Sequence, residues 1–196
     1  CVDRHLEEHK NKAAFIWVSE LEDEEDRVIT YQELFVRVNE FAALLRDFAG
    51  LKAGDRVTLH MPMMPELPVT MLACARLGVI HSQVFGGFSG NACGDRIVDS
   101  GSNVLITMDG YHRSGTMLDH KIKADEAVAQ AEANGAKVDK VLVWRRYKGK
   151  YQSESPMVEG RDHFVDDVLA NYVGKRVDPV SMPAEAPLFL MYTSGT

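Results

Sequence analysis

The stretch from residue 54 to residue 89, GDRVTLHMPMMPELPVTMLACARLGVIHSQVFGGFS, decides the predicted fold. A short apolar run at residues 57–60 is followed by Pro65, which favours the first turn of a helix. The next segment, residues 66–77, is apolar almost all round, and a glycine ends it before a second apolar run at residues 79–85. A helix between two strands predicts a parallel βαβ unit whose helix packs against the sheet.

The same alternation of strands and helices continues after this unit. Ser89 is predicted to cap a short helix that ends near Ser100. Further strands are predicted at residues 104–107, 140–144 and 188–192, a further helix at residues 118–133, a polar connection at residues 145–161 and a weak helix at residues 163–170. The sequence therefore predicts an α/β fold, a mostly parallel sheet with helices on both faces.

The first 50 residues predict a β-hairpin and a long amphipathic helix before this sheet. Two apolar runs, residues 15–18 and 27–30, flank an acidic segment that is predicted to be a solvated turn. Thr30 and Glu33 have the spacing of a capping box, and apolar residues with helical periodicity follow until Gly50. The helix is therefore predicted to begin at Thr30 and to end at Gly50.

The composition narrows the possible function classes. The chain has 196 residues, of which 45% are hydrophobic and 26% charged, and its formal net charge is −7. An acidic chain gains nothing from the phosphates of nucleic acid, and no apolar run is long enough to span a membrane. The 3 cysteines lack CxxC spacing, which argues against a disulfide framework. We therefore expect a cytoplasmic protein that binds neither nucleic acid nor membranes.

Ligands of open α/β sheets bind beyond the carboxyl ends of the strands. The loops to consider are residues 86–89, 108–116 and 193–196, since each follows a predicted strand. The last of them reads Thr-Ser-Gly-Thr, whose hydroxyls, backbone N–H groups and glycine suit phosphate oxygens. It lacks the spacing of a Walker A loop, and an ordinary turn remains the alternative. Gly86 and Gly87 could equally form a tight turn between a strand and a helix.

Several motifs, in the right order along the chain, resemble the AMP-forming acyl-CoA synthetases, and most closely the acetyl-CoA synthetases. The run YTSGT at residues 192–196 is similar to the first half of the signature of adenylate-forming enzymes. The other motifs that carry the resemblance are DRHL at 3–6, ITY at 29–31, GDRV at 54–57, MLACARLG at 71–78, VFGGFS at 84–89 and VEGRD at 158–162. The run FGGFS is specific to the short-chain branch of this family.

The resemblance implies a reaction in two steps that uses ATP, CoA and Mg²⁺. Acetate would attack the α-phosphorus of ATP to give acetyl-adenylate and pyrophosphate, and the CoA thiol would then displace AMP. The residues that match the phosphate loop for ATP are Thr193, Ser194, Gly195 and Thr196. The residues that match the CoA site are Gly86, Gly87, Phe88, Arg113, Ser114, Gly115 and Thr116. The family usually has a second arginine where this chain has Thr116, which puts the strength of the phosphate contact in question.

The resemblance covers residues 1–196 and corresponds to the first part of the large N-terminal AMP-binding domain. The chain opens without an initiator methionine and stops inside the ATP-phosphate loop. We therefore expect its partner to be the remainder of a synthetase chain, with the catalytic residues beyond Thr196. These 196 residues alone are expected to be inactive.

Three alternatives stay open. Propionate or another short-chain acid could replace acetate, because the family's carboxylate pocket lies beyond Thr196. The run His5-Leu6-Glu7-Glu8-His9 fits the HxxEH pattern of zinc peptidases. The basic and aromatic residues at 145–151 interleave as in modules that bind single-stranded nucleic acid.

Overall fold

The computed structural model describes residues 1–148 and 150–193. Within these residues, six strands form one sheet in which every neighbouring pair is parallel, in the order β10-β4-β3-β5-β8-β9. These strands are β3 (Arg56–Met61), β4 (Ile80–Phe85), β5 (Val104–Met108), β8 (Lys140–Trp144), β9 (Asp162–Phe164) and β10 (Phe189–Leu190). The predicted α/β class with a mostly parallel sheet is confirmed.

Helices cover both faces of this sheet, so its strands are buried on both sides. The helices are α1 (Leu6–His9), α2 (Tyr31–Asp47), α3 (Glu66–Leu77), α4 (Gly90–Ser100), α5 (His120–Ala133) and α6 (Val165–Leu169). In β5, Val104 and Ile106 join the core that contains α2 and α3, whereas Leu105 joins the core that contains α4 and α5. This alternation is the period of two that a strand between two helical layers requires.

The N-terminal hairpin and long helix form as the sequence predicts. Strands β1 (Ala13–Trp17) and β2 (Arg27–Thr30) pair antiparallel. The Thr30 hydroxyl accepts a hydrogen bond from the Glu33 N–H at 3.2 Å, which satisfies one free donor at the start of α2. None of the helices in the described part of the chain combines the length and the apolar character that a membrane span needs.

The segment predicted as the loop 108–116 is a second hairpin. Strands β6 (Gly110–Arg113) and β7 (Thr116–Asp119) pair antiparallel. Helix α5 consequently begins at His120 and not at residue 118, and the Asp119 carboxylate caps it by accepting from the Ile122 N–H. The sequence prediction was wrong here because cross-strand pairing, which the helical pattern does not register, took residues 116–119 into a strand.

The weak helix predicted at residues 163–170 was also partly wrong. Residues 162–164 form β9, an edge strand in which His163 lies opposite Leu142 and Phe164 opposite Val143. The helix is confined to Val165–Leu169, and a 3₁₀ turn follows at Ala170–Tyr172. The exposed edge of β8 supplied hydrogen-bond partners that outweighed the weak local preference for helix.

Candidate functional site

The loops at the carboxyl ends of several strands meet at one cleft of about 320 Å³. Met63 follows β3, Gly86 follows β4, Arg113 lies in the hairpin after β5, and Arg146 follows β8. The loop between β1 and β2 closes the cleft on another side with Glu20. Residues 86–87 and 113, from two of the three loops that the sequence singled out, therefore line the same cleft at this edge of the sheet.

The two adjacent glycines leave no room for a side chain on their own backbone. A Cβ atom added to Gly86 would lie 2.9 Å from the backbone nitrogen of Pro62. A Cβ added to Gly87 would overlap the Arg113 guanidinium and lie 2.5 Å from the Phe85 ring. The turn therefore presents bare backbone to the cleft, with the Arg113 guanidinium directly against it.

Arg113 lies at the end of β6 and extends over an aromatic ring. Its guanidinium carbon is 5.2 Å from the centroid of Phe85, a cation–π distance. Ser114 and Gly115 have φ angles of 52° and 73°, so they form a tight turn of left-handed residues that brings exposed Thr116 opposite Arg113. The Phe88 ring meets Phe85 edge-on at 5.8 Å. Phe85 therefore contacts both Phe88 and Arg113, which the sequence analysis assigned to the predicted CoA site from two different loops.

A carboxylate already occupies this turn. The Gly115 N–H donates a hydrogen bond to Oε1 of Glu20 at 3.0 Å, and Glu20 also lines the cleft. The acidic segment predicted as a solvated turn is mostly exposed, namely at Glu20, Glu22, Asp23, Glu25 and Asp26. Its Glu24 is half-buried and forms a two-pronged ion pair with Arg146.

Two buried histidines lie directly beneath the glycine turn. His60 at the end of β3 and His120 at the start of α5 are both 0% exposed, with ring centroids 4.3 Å apart. Nε2 of His120 lies 3.0 Å from the backbone carbonyl oxygen of His60, and a carbonyl only accepts, so Nε2 carries the proton. The Tyr111 ring packs edge-on to His120, and its hydroxyl donates to the Gly86 carbonyl at 3.2 Å. The layer formed by His60, His120 and Tyr111 fixes the position of the glycine turn.

The two histidines are expected to make the protein less stable in mild acid. Burial lowers the pKa of His60 to about 3 and that of His120 to about 4, and in His60 the neighbouring His120 adds to the effect. Between the two pKa values, a histidine binds a proton in the unfolded protein but stays neutral in the folded one. The unfolded state therefore binds more protons than the folded state in this pH range. The free energy of unfolding should fall from about pH 6.5 towards pH 4, at most by roughly 1.4 kcal/mol per pH unit for each histidine.

The substitution His120→Gln tests this expectation. The glutamine amide can still donate to the His60 carbonyl but does not titrate. Urea unfolding across this pH range should therefore be less dependent on pH in the variant than in the wild type. The control is His9→Gln, at a partly exposed histidine of α1, which should leave the pH dependence unchanged. Equal pH dependence in all three proteins would contradict the assignment.

The start of the predicted phosphate loop is linked to the glycine turn through one arginine. The Arg96 guanidinium lies 4.9 Å from the ring centroid of Phe88 and 4.8 Å from that of Tyr192. The Tyr192 hydroxyl donates to Asp99 at 2.6 Å. Thr193 follows it and is exposed, whereas Ser194, Gly195 and Thr196 lie outside the described residues. Arg96 thus connects the start of this loop to Phe88, the residue that follows the glycine turn.

The basic segment after β8 is largely engaged within the protein. Gly149 lies outside the described residues. Arg145 forms a two-pronged ion pair with Asp167 at 2.6 and 2.7 Å. Arg146 stacks on Trp17 at 5.0 Å, and its hydrogen bonds lower the pKa of Glu24 to about 2. Both guanidiniums of this segment are thus paired to carboxylates within the protein.

The zinc interpretation of the first residues finds no support in the geometry. The rings of His5 and His9 stack at a centroid distance of 6.1 Å, and His5 also packs against Tyr31. Within residues 1–148 and 150–193, no group of three or more His, Cys, Asp or Glu side chains is arranged to hold a metal ion. We therefore assign none of the described residues to Mg²⁺ or to zinc.

Sequence reasoning missed several residues of the cleft. Glu20 was assigned to a solvated turn, and Phe85, Tyr111 and Arg96 were not singled out. His60 and Phe85 had a usable signal, because each stands at the carboxyl end of a strand, where ligands bind. The other contacts join residues that are distant in sequence, and no local pattern predicts them.

Comparison with known proteins places the whole chain in one family. The model of the family described as AMP-binding enzyme matches residues 2–196. The chain is 47% identical over 196 residues to the 3-hydroxypropionyl-coenzyme A synthetase of Sulfurisphaera tokodaii. It is 45% identical over 196 residues to the acetyl-coenzyme A synthetase of Wolinella succinogenes. These alignments cover 100% of this chain but only 28% and 29% of the two relatives.

A solved structure shows the same arrangement of elements. The acetoacetyl-CoA synthetase from Streptomyces lividans matches with a TM-score of 0.78 and 26% sequence identity. The match covers 98% of this chain and 27% of that one. The chain therefore corresponds to less than a third of the length of each of these three proteins.

Proposed function

Because the chain belongs to the AMP-binding enzyme family, we propose that it forms part of an AMP-forming acyl-CoA ligase that acts on a short-chain carboxylic acid. In the first step, a carboxylate oxygen attacks the α-phosphorus of ATP, and pyrophosphate leaves. In the second step, the CoA thiol attacks the carbonyl carbon of the acyl-adenylate, loses its proton and displaces AMP. Mg²⁺ would neutralise phosphate charge in the first step.

The observation that carries the CoA assignment is the meeting of the glycine turn and the Arg113 hairpin at one cleft. Gly86 and Gly87 put no side chain of their own between the cleft and the backbone of the turn. A guanidinium beside it can bind a phosphate through two parallel hydrogen bonds. We assign Gly86, Gly87, Phe88 and the turn from Arg113 to Thr116 to CoA on this basis, with the Tyr111 and His120 layer in support.

The ATP-phosphate assignment rests on position along the chain. Thr193 follows β10, which lies parallel to β4, so it emerges at the ligand-binding edge of the sheet. Thr193, Ser194, Gly195 and Thr196 are proposed to contact ATP phosphates, by hydroxyl groups and backbone N–H groups. Arg96, between Phe88 and Tyr192, would keep the proposed CoA site and the proposed ATP-phosphate site at a fixed distance from each other.

Acetate is the first candidate for the acid, and 3-hydroxypropionate is the second. Both are supported by relatives of this chain with similar identity, 45% for the acetyl-coenzyme A synthetase and 47% for the 3-hydroxypropionyl-coenzyme A synthetase. The two acids differ by a methylene and a hydroxyl, so a pocket that hydrogen-bonds the hydroxyl would discriminate strongly between them. Propionate has the extra methylene but lacks the hydroxyl, so its kcat/KM separates the effects of the two groups.

A pyrophosphate-release assay of the full-length protein tests the proposal. It uses ATP, CoA and one acid at a time, namely acetate, propionate, 3-hydroxypropionate, butyrate or valerate. We expect kcat/KM to be highest for acetate, with AMP and pyrophosphate formed in equal amounts. Formation of ADP and phosphate would contradict the AMP-forming mechanism. A preference for 3-hydroxypropionate would keep the enzyme class and replace acetate as the substrate.

A further inference from the structure

We propose that the Glu20 carboxylate competes with a CoA phosphate for the hairpin turn at Arg113–Thr116 and thereby sets the affinity for CoA. The inference rests on the proposed CoA site and adds to it a negatively charged competitor supplied by this chain. Its carboxylate takes the hydrogen-bond donor that an incoming phosphate would use. CoA would have to displace it, and its affinity is lowered accordingly.

The Gly115 N–H of this turn is hydrogen-bonded to the Glu20 carboxylate. Ser114 and Gly115 both have positive φ angles, and successive backbone N–H groups in such turns form a concave site for anions. Oε1 of Glu20 lies 3.0 Å from the Gly115 nitrogen and so already fills this site with an anionic oxygen. The carboxylate is the nearest chemical equivalent of a phosphate that a protein side chain offers.

Neighbouring hydrogen bonds hold Glu20 in this place. The Ser19 N–H donates to Asp26 at 3.1 Å, and the Ser19 hydroxyl donates to Glu24 at 2.7 Å. The Leu21 N–H donates to the Ser19 hydroxyl at 3.1 Å. Both residues that flank Glu20 are therefore fixed, and Glu24 is itself anchored by Arg146. The position of the carboxylate over the turn follows from this network.

The charge distribution at the cleft supports competition and argues against a purely structural role. Among the residues that the structure describes, no carboxylate lies within ion-pair distance of Arg113, whose guanidinium stacks on Phe85. Among these residues the guanidinium is thus left to a CoA phosphate, whereas the Gly115 N–H of the same hairpin is taken by Glu20. Glu20 is exposed, and so is its contact, so water can replace the carboxylate at the Gly115 N–H without a large loss of stability.

The test is the substitution Glu20→Gln in the full-length enzyme. Glutamine keeps the shape and a neutral acceptor for Gly115 but removes the charge. We expect the KM for CoA to fall roughly two- to fivefold at low salt, the range for one exposed charge contact, with kcat unchanged. The difference should shrink as salt rises, because the contact is exposed to solvent.

The matched control is Glu25→Gln, which removes the same charge from the same loop at another exposed position. An unchanged KM in Glu20→Gln, or the same decrease in Glu25→Gln, would overturn the proposal. Arg113→Ala separates this failure from that of the proposed CoA site. If Arg113→Ala raises the KM and Glu20→Gln has no effect, the site stands and the competition does not. If neither variant changes the KM, both assignments fail.

Discussion

Replacing Lys121 with methionine is expected to lower the free energy of unfolding by roughly 1–3 kcal/mol, the cost of removing one charged hydrogen-bond partner from a buried carboxylate. The Lys121 side chain is 1% exposed, and its ammonium lies 2.8 Å from Asp162, whose side chain is 0% exposed. It also contacts Asp125 at 2.6 Å. Burial alone would raise the pKa of Asp162, but hydrogen bonds from Arg161 and Lys121 keep it below its usual value. Without the lysine, Asp162 stays buried with only Arg161 as its cationic partner.

Urea unfolding of the full-length protein measures this loss. The control is Lys123→Met, the same change two residues further along α5, at a lysine with no carboxylate within ion-pair distance among the described residues. It should cost less than about 1 kcal/mol. Adding Asp162→Asn to Lys121→Met should recover part of the stability, because it removes a buried charge that has lost one of its two cationic partners. Similar losses in Lys121→Met and Lys123→Met would refute the role of the buried ion pairs.

The substitution Arg113→Ala is expected to raise the KM for CoA tenfold to hundredfold in the full-length enzyme. One charge-assisted phosphate contact is worth roughly 1.5–3 kcal/mol, which corresponds to this range. Since Thr116 stands where the family usually has a second arginine, we expect the upper part of the range. ATP–pyrophosphate exchange with the acid should stay nearly intact, because Arg113 is assigned to the second step alone.

The control for Arg113 is Arg46→Ala, an exposed arginine of α2 that is paired with Asp47. It should leave the KM for CoA unchanged. Equal slowing of adenylation and thioester formation by Arg113→Ala would show that the arginine is structural. The substitution Thr116→Arg should have the opposite effect and tighten CoA binding, because residues 113 and 116 lie opposite each other in the hairpin.

The sequence alone was sufficient for the elements whose signals are local. The capped helix α2, the N-terminal hairpin and the βαβ unit around α3 all formed as predicted. Helix caps and periodicity depend on residues a few positions apart, so a single sequence contains them. The order of strands and helices also indicated which loops would lie at the ligand-binding edge.

The tertiary structure alone decided which side chains meet at the candidate site. Gly115 and Glu20 are 95 residues apart, and His120 and His60 are 60 apart, yet each pair is in hydrogen-bond contact. Strand β9 likewise formed only because the edge of β8 was free to pair with it. Such contacts arise from the packing of distant segments, which compensates their loss of chain entropy through burial and hydrogen bonding. The sequence therefore determined which loops would lie at the carboxyl ends of the strands, and the packing of distant segments determined which charges surround them.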